Sequence, residues 1–380
     1  MTVPFALADF LAHWIPQVRH DLAASDAETL ALADLLDLAA PEDLEDWQRL
    51  GFGYTDPRGG ERLRTILAGR YAGLAAAEIL CCAGAQEALA CAAAALLEPS
   101  DHAVVVLPVY QPSEEAVTGR CEATGVPLRE ERGWRLDVAD VAAALRPRTR
   151  LVLMNMPNNP TGATLDAATM GELVALCRSR GIWLLVDEVY RRTARQALAP
   201  AIADLYERGI TVDSLSKGFG LAGLRVGWIG CRDRRMLSAA LDAKNRMSSC
   251  LTAPSEVLAR VALGSEKRII ARSRAACERG RLRLRALIAR HSDRFEDEAS
   301  SNLAFAFPRY RGPEGAERFA RDLALRAGIL VLPSVLWRSR LGPTPADRLR
   351  IGLGRLRSVD ALDALDGHLS VRAPRPAAAE

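Results

Sequence analysis

From about residue 78 onward, short apolar runs alternate with segments of helical character, and no other feature restricts the fold as much. The runs are Ile79–Cys82, Ala103–Leu107, Leu151–Met154, Trp183–Val186, Ile210–Leu215 and Val226–Cys231. Between them, Gln86–Leu97, Ser113–Ala123, Ala167–Arg180 and Ile202–Arg208 have the length and composition of helices. Short runs that are apolar throughout suit strands buried on both faces. Strands of that kind, alternating with helices, predict an α/β fold: a mostly parallel central sheet with helices on both faces. After residue 270 the pattern changes to an Arg-rich helix over 271–291. A short α+β segment follows, with strands expected near Leu303–Phe307, Ile329–Leu332 and Leu349–Gly352.

A chain of 380 residues exceeds a usual single core. The expected division is a large domain over 46–270 and a small α+β domain over 271–371. Residues 1–45 look helical and amphipathic, with Leu30, Leu32, Leu35, Leu36 and Leu38 crowded together, and are expected to pack with the small domain. The Pro/Ala-rich tail 372–380 is expected to be disordered.

Composition removes several classes of function. A net charge of +3 gives no argument for nucleic acid or a membrane surface. No apolar run reaches the ~20 residues that a spanning helix needs. Met1–Phe10 has no basic n-region and includes Asp9, so no secretory signal is expected, and the chain is expected to be cytoplasmic. None of the eight cysteines falls in a CxxC or Cys/His ligand pattern, so reduced structural thiols are expected rather than a metal site.

The residues with chemistry to offer lie at the ends of the expected strands, where open α/β sheets place their ligands. Ser214, Ser216 and Lys217 end one strand. Arg225 follows in a glycine-rich stretch, and Asp187 ends the strand Leu184–Asp187 just before Tyr190. Asn159 sits in Pro157-Asn-Asn-Pro-Thr-Gly162, and Ala85 and Gln86 open a helix after Gly84. Each type suits pyridoxal 5′-phosphate (PLP). A lysine amine forms a Schiff base with an aldehyde and, once freed, serves as a base. An aspartate keeps a pyridine nitrogen protonated, so that the ring remains an electron sink. An asparagine amide and a tyrosine hydroxyl can hold the ring oxygen. An uncapped helix N-terminus, serine hydroxyls and an arginine fork suit a phosphate. Taken singly, the asparagine segment is a turn former, Asp187 a helix cap, and Arg350 one arginine among many. Their joint order and spacing carry the argument. The pattern Gly218-Phe-Gly220-Leu-Ala-Gly223 imitates a dinucleotide fingerprint but lacks the second strand that fingerprint requires.

This order resembles the class I/II aminotransferases, the fold-type I PLP-dependent enzymes, from about Leu50 to Gly354. The resemblance implies Lys217 as the Schiff-base lysine, Asp187 as the pyridinium partner, and Asn159 with Tyr190 on the ring oxygen. It implies Ser214, Ser216, Arg225, Ala85 and Gln86 around the phosphate, and Tyr110 stacked on the ring. Arg350 would bind the substrate α-carboxylate, with Asn159 beside it. Tyr54, in the turn-rich loop Gly51–Gly60, would reach the phosphate in a neighbouring subunit, which implies a homodimer. The implied activity is transamination of an L-amino acid through a quinonoid intermediate.

The N-terminal region departs from the common pattern. Where many members have a short glycine-containing segment, this chain has His20 to Glu28 and then a Leu-rich stretch. In this it resembles a branch that includes enzymes similar to capreomycidine synthase, so β/γ-elimination or cyclisation in natural-product biosynthesis stands as the alternative reaction. Asp26, Glu28 and Asp56 could meet a cationic side chain, but the ordinary expectation is that they are solvated acids. A PLP-sensing transcription factor is disfavoured because the first 45 residues lack a basic recognition helix.

Overall fold

The computed structural model describes residues 4–195, 197–296 and 304–372. The apolar runs become strands of one seven-stranded sheet: β2 (Ile79–Cys82), β3 (His102–Leu107), β4 (Glu122–Pro127), β5 (Thr149–Asn155), β6 (Trp183–Asp187), β7 (Gly209–Ser214) and β8 (Gly227–Gly230). The order is β2-β8-β7-β6-β5-β3-β4. β8 is antiparallel to both β2 and β7, and the remaining pairings are parallel. All strands but β8 therefore point one way, and their C-terminal ends share one edge.

Alternate residues along each strand enter different cores. Val105, Leu153 and Leu185 face one helical layer, while Val104, Val152 and Leu184 face the other. Two buried faces explain why these strands read as unbroken apolar runs rather than as alternating ones. The mostly parallel sheet covered by helices on both faces is the architecture expected.

β4 was not expected. The helix begun at Gln111 stops at Thr118, capped at Gly119, and Glu122 starts a strand instead. β4 lies at the sheet edge, pairs with β3 alone and is only partly buried, so it has no apolar run to announce it. The helix expected over Ile202–Arg208 is a single turn, Ile202–Leu205.

C-terminal to the sheet, the Arg-rich helix runs from Glu266 to Arg290. The strand Leu349–Gly352 lies between Phe305–Ala306 and Leu332–Pro333, antiparallel to both. Leu303 lies outside the described residues, as do residues 373–380 of the tail 372–380 that was expected to be disordered; Arg372 ends the helix Ser358–Arg372.

The N-terminal region is not one amphipathic helix. It contains α1 (Ala6–Trp14), β1 (His20–Asp21), α2 (Leu32–Leu36) and α3 (Pro41–Gln48), with an extended crossing between β1 and α2, and α4 (Glu61–Ala68) follows. Tertiary pairing overrides helix here. β1 pairs in parallel with Ile329–Leu330, and Gly352 N donates to Leu22 O at 2.6 Å. Ala27 N donates to Lys217 O at 3.0 Å, and Glu28 N to Gly354 O at 2.9 Å. This crossing carries residues 20–28 over the C-terminal edge of the large sheet.

Among the described residues, no helix is long and apolar enough to cross a membrane, and no group of three or more His, Cys, Asp or Glu could hold a metal ion. The eight cysteines are free thiols, and seven are buried.

Candidate active site

A cavity of about 360 Å³ opens at the shared edge of the strands. Lys217, Asp187, Tyr190, Asn159, Ser214, Ser216, Arg225, Ala85, Gln86, Tyr110 and Arg350 all line it. Strand ends deliver most of them: Asp187 closes β6, Ser214 closes β7 and leads to Lys217, and Ala85 begins α5 (Ala85–Leu96) after β2. Tyr54 does not line this cavity; it is 95% exposed on its loop.

Ala85 starts α5 with no side chain capping the helix. Arg225 is the other half of this corner. Its backbone takes a left-handed φ of 53°, and its Nη2 donates to Ala83 O at 3.2 Å. Gly227 permits the approach, because a Cβ there would lie 2.5 Å from the Gly84 carbonyl carbon and 2.6 Å from Ala85 N. Uncapped helix N–H groups, an arginine fork and the hydroxyls of Ser214 and Ser216 together form a donor set suited to a dianionic phosphate.

Asp187 is 6% exposed and accepts a hydrogen bond from Val189 N at 3.2 Å. Burial raises its pKa from 3.8 to about 7; Asp213 adds to the rise, while Val189 N and Lys217 oppose it. Such a carboxylate is short of a cation, and a pyridinium nitrogen would supply one. The neighbouring Glu188 is also raised to about 7 by burial, but it has Arg191 at 3.0 Å.

Lys217 Nζ donates to Ser25 Oγ at 3.0 Å and lies 5.6 Å from the centre of the Tyr190 ring. Arg350 is 3% exposed. Its Nη1 donates to Asn159 Oδ1 at 3.0 Å and its Nη2 to Ala23 O, while Nε has no partner. The guanidinium carbon lies 5.0 Å from the Trp337 ring centre and 5.5 Å from that of Phe305. Burial lowers the Arg350 pKa. A buried guanidinium flanked by aromatic rings, with a donor left over, suits a carboxylate.

The residues present therefore fit PLP. Several further cavity residues were missed in the sequence. Asn155 ends β5 as Asp187 ends β6; it accepts from Asn159 N at 2.8 Å and donates to Asp187 O at 2.9 Å, and its strand-end position was a usable signal. Ser25 and Arg355 had none, because a chain crossing and a late turn bring them in. Asp26 corrects an expectation: it is 8% exposed rather than solvated, and it accepts from Arg355 Nη2 at 2.9 and 3.0 Å. α1 adds Leu7 and Leu11, and Ile15 just past its end continues this apolar wall at helical spacing.

Comparison with known proteins agrees with this geometry. Residues 22–358 match the family described as aminotransferase class I and II. Capreomycidine synthase of Streptomyces vinaceus is 29% identical over 354 residues, covering 91% of this chain and 88% of that protein. Arginine–pyruvate transaminase of Pseudomonas aeruginosa is 39% identical over 186 residues, which is 46% of this chain and 47% of that enzyme. The matched region thus spans about half of that relative. Among solved structures, a PLP-dependent aminotransferase from Streptococcus suis superposes with a TM-score of 0.91 at 25% identity, covering 99% of this chain and 100% of the other. A PLP-dependent cyclase gives 0.85 at 26% identity, with 98% of each chain covered. The chain belongs to the class I and II aminotransferases and is a PLP-dependent enzyme of that family.

Proposed function

We propose that this enzyme transaminates an L-amino acid, with Lys217 carrying the cofactor. The observation that supports this most is the convergence of Lys217, Asp187, Arg225 and Arg350 on one cavity. PLP, when bound, supplies an electron sink for the charge left at the substrate Cα. The chain supplies the rest. Asp187 would keep a proton on the ring nitrogen, and Asn159 and Tyr190 would hold the ring oxygen. Ala85, Gln86, Ser214, Ser216 and Arg225 would bind the phosphate, and Tyr110 would cover the ring. Arg350, steadied by Asn159, takes the α-carboxylate and so directs the Cα–H toward Lys217 Nζ, which removes the proton.

The reading extends to assembly and layout. Tyr54, exposed beside Phe52, serves the partner's site in a homodimer; its loop is held by Thr55 Oγ1 donating to Leu251 O at 2.9 Å. Residues 46–270 and 271–371 act as large and small domains, a division supported by the separate core of Leu287, Phe319, Leu349 and Leu362. Only the first part of the 1–45 segment follows the expected packing with the small domain: Leu7, Phe10 and Trp14 meet Leu330, Leu332 and Trp337, whereas Leu35 joins the large-domain core with Leu63, Leu67 and Trp228, and Asp43 accepts from Arg260 Nε at 3.0 Å. The free cysteines suit a cytoplasmic location.

The second reading is elimination or cyclisation, favoured by the length of the match to capreomycidine synthase and by the solved cyclase. One experiment separates the two. The loaded enzyme is mixed with single amino acids, without a keto-acid acceptor, and cofactor and product are read by mass spectrometry. Transamination converts the cofactor to pyridoxamine phosphate with one equivalent of keto acid. Cofactor left as PLP while product accumulates over many turnovers would establish the second reading.

A further inference from the structure

Ser25 lies where the N-terminal segment crosses the cavity, and it is 9% exposed. Its Oγ receives two hydrogen bonds, from Lys217 Nζ at 3.0 Å and from Tyr190 Oη at 3.2 Å. It therefore joins the amine and the phenol on which the site depends. The segment that holds it is fixed on both sides. Leu22 N donates to Leu330 O at 2.9 Å, and Ala27 N donates to the backbone carbonyl of Lys217 itself. Arg350 Nη2 reaches Ala23 O, and Arg355 holds Asp26. A short side chain on so constrained a backbone presents its oxygen at one place.

We propose that Ser25 is the docking point of the free Lys217 amine: it holds Nζ whenever that nitrogen is not bonded to the cofactor. This rests on the reading that Lys217 carries PLP. The amine has two situations in each cycle, bonded to the cofactor aldehyde or displaced from it by the substrate's amino group. In the displaced state Nζ has hydrogens to donate and must act on the substrate from one side. A hydroxyl 3.0 Å away, fixed by the surrounding backbone, stabilises that state and orients it. When the single phenol proton of Tyr190 turns to the ring oxygen, the Ser25 hydroxyl donates to Tyr190 Oη in its place, which keeps its lone pairs toward Nζ. Ser25 is thus a positioning residue that acts through Lys217, and it favours release of the lysine from the cofactor.

The test reads this displacement without turnover. α-Methyl amino acids displace the lysine from the cofactor but have no Cα proton to lose. The loaded enzyme is titrated with 2-methylalanine, α-methylaspartate and α-methylornithine, and the visible spectrum of the cofactor reports displacement. The Ser25→Ala variant is expected to need about three- to tenfold more of the displacing compound, the worth of one net hydrogen bond. Ser25→Thr, which keeps the hydroxyl, should stay within about twofold of wild type. Equal titrations for wild type and Ser25→Ala would overturn the proposal. Equal weakening in both variants would also overturn it, since loss of packing in the segment would then account for the effect. If none of the three compounds displaces the lysine from the wild-type enzyme, the underlying amino-acid reading fails. Should borohydride fix the cofactor to a residue other than Lys217, the lysine assignment fails instead.

Discussion

Asp187 concentrates the electrostatic tension of the site in one carboxylate. Burial holds its pKa at about 7 against an ordinary 3.8, so the folded chain keeps a proton that the unfolded chain has released between those values. Stability contributed by that proton falls as pH rises through this window. In the cofactor-free protein, Asp187→Asn should therefore gain in melting temperature over wild type as pH rises from about 5 to about 8. Calorimetry across that range checks this, and parallel curves would contradict it. Arg350 makes the corresponding test for substrate. Arg350→Ala should raise KM for the amino donor by about tenfold or more, the loss of a charged hydrogen bond worth about 1.5–3 kcal/mol, with a smaller change in kcat. Steady-state kinetics would place the carboxylate clamp elsewhere if KM did not move. At this scale the sequence was informative for Lys217, Asp187 and Arg225, because strand ends and turn residues mark them locally. It was silent about Ser25 and misleading about Asp26, whose burial depends on Arg355 more than three hundred positions away.

Elements place these residues, and one close junction lies between β8 and the start of α5. Gly227→Ala would put a methyl group 2.5 Å from the Gly84 carbonyl carbon. Overpacking of this kind costs about 1–3 kcal/mol, and here it would also tilt the donors that face the phosphate. Equilibrium unfolding and the rate of cofactor loss should both register the change; wild-type values in both would remove the cradle from the account. The interior strands were legible because each is buried on both faces by residues such as Val104 and Val105. β4 was not, since an edge strand with Glu122 and Thr124 resembles the end of a helix. The N-terminal crossing was also hidden. Its conformation is set by hydrogen bonds to Leu330, Gly352 and Gly354, and no local pattern records such partners.

For the whole molecule, the reading requires two chains. Tyr54 and Phe52 are 95% and 88% exposed, an arrangement that suits a second copy better than solvent. Lys244, fully buried, donates to Ser249 O at 2.8 Å and also to Pro57 O, which ties the loop bearing Tyr54 to the 247–250 turn. If Tyr54 serves the partner's phosphate, Lys217→Ala and Tyr54→Phe chains should complement each other. Each is impaired alone, while a mixed dimer contains one site with both residues intact. Mixing the two after partial unfolding should restore part of the activity, and a mixture no better than its components would place Tyr54 outside the site.

The account rests on Lys217 as the point of cofactor attachment. The loaded enzyme should be reduced with borohydride, digested and mapped by mass spectrometry. The predicted result is a phosphopyridoxyl group on the peptide that contains Lys217, absent in Lys217→Ala. The same group on Lys244 or Lys267, or its persistence in Lys217→Ala, would contradict the account.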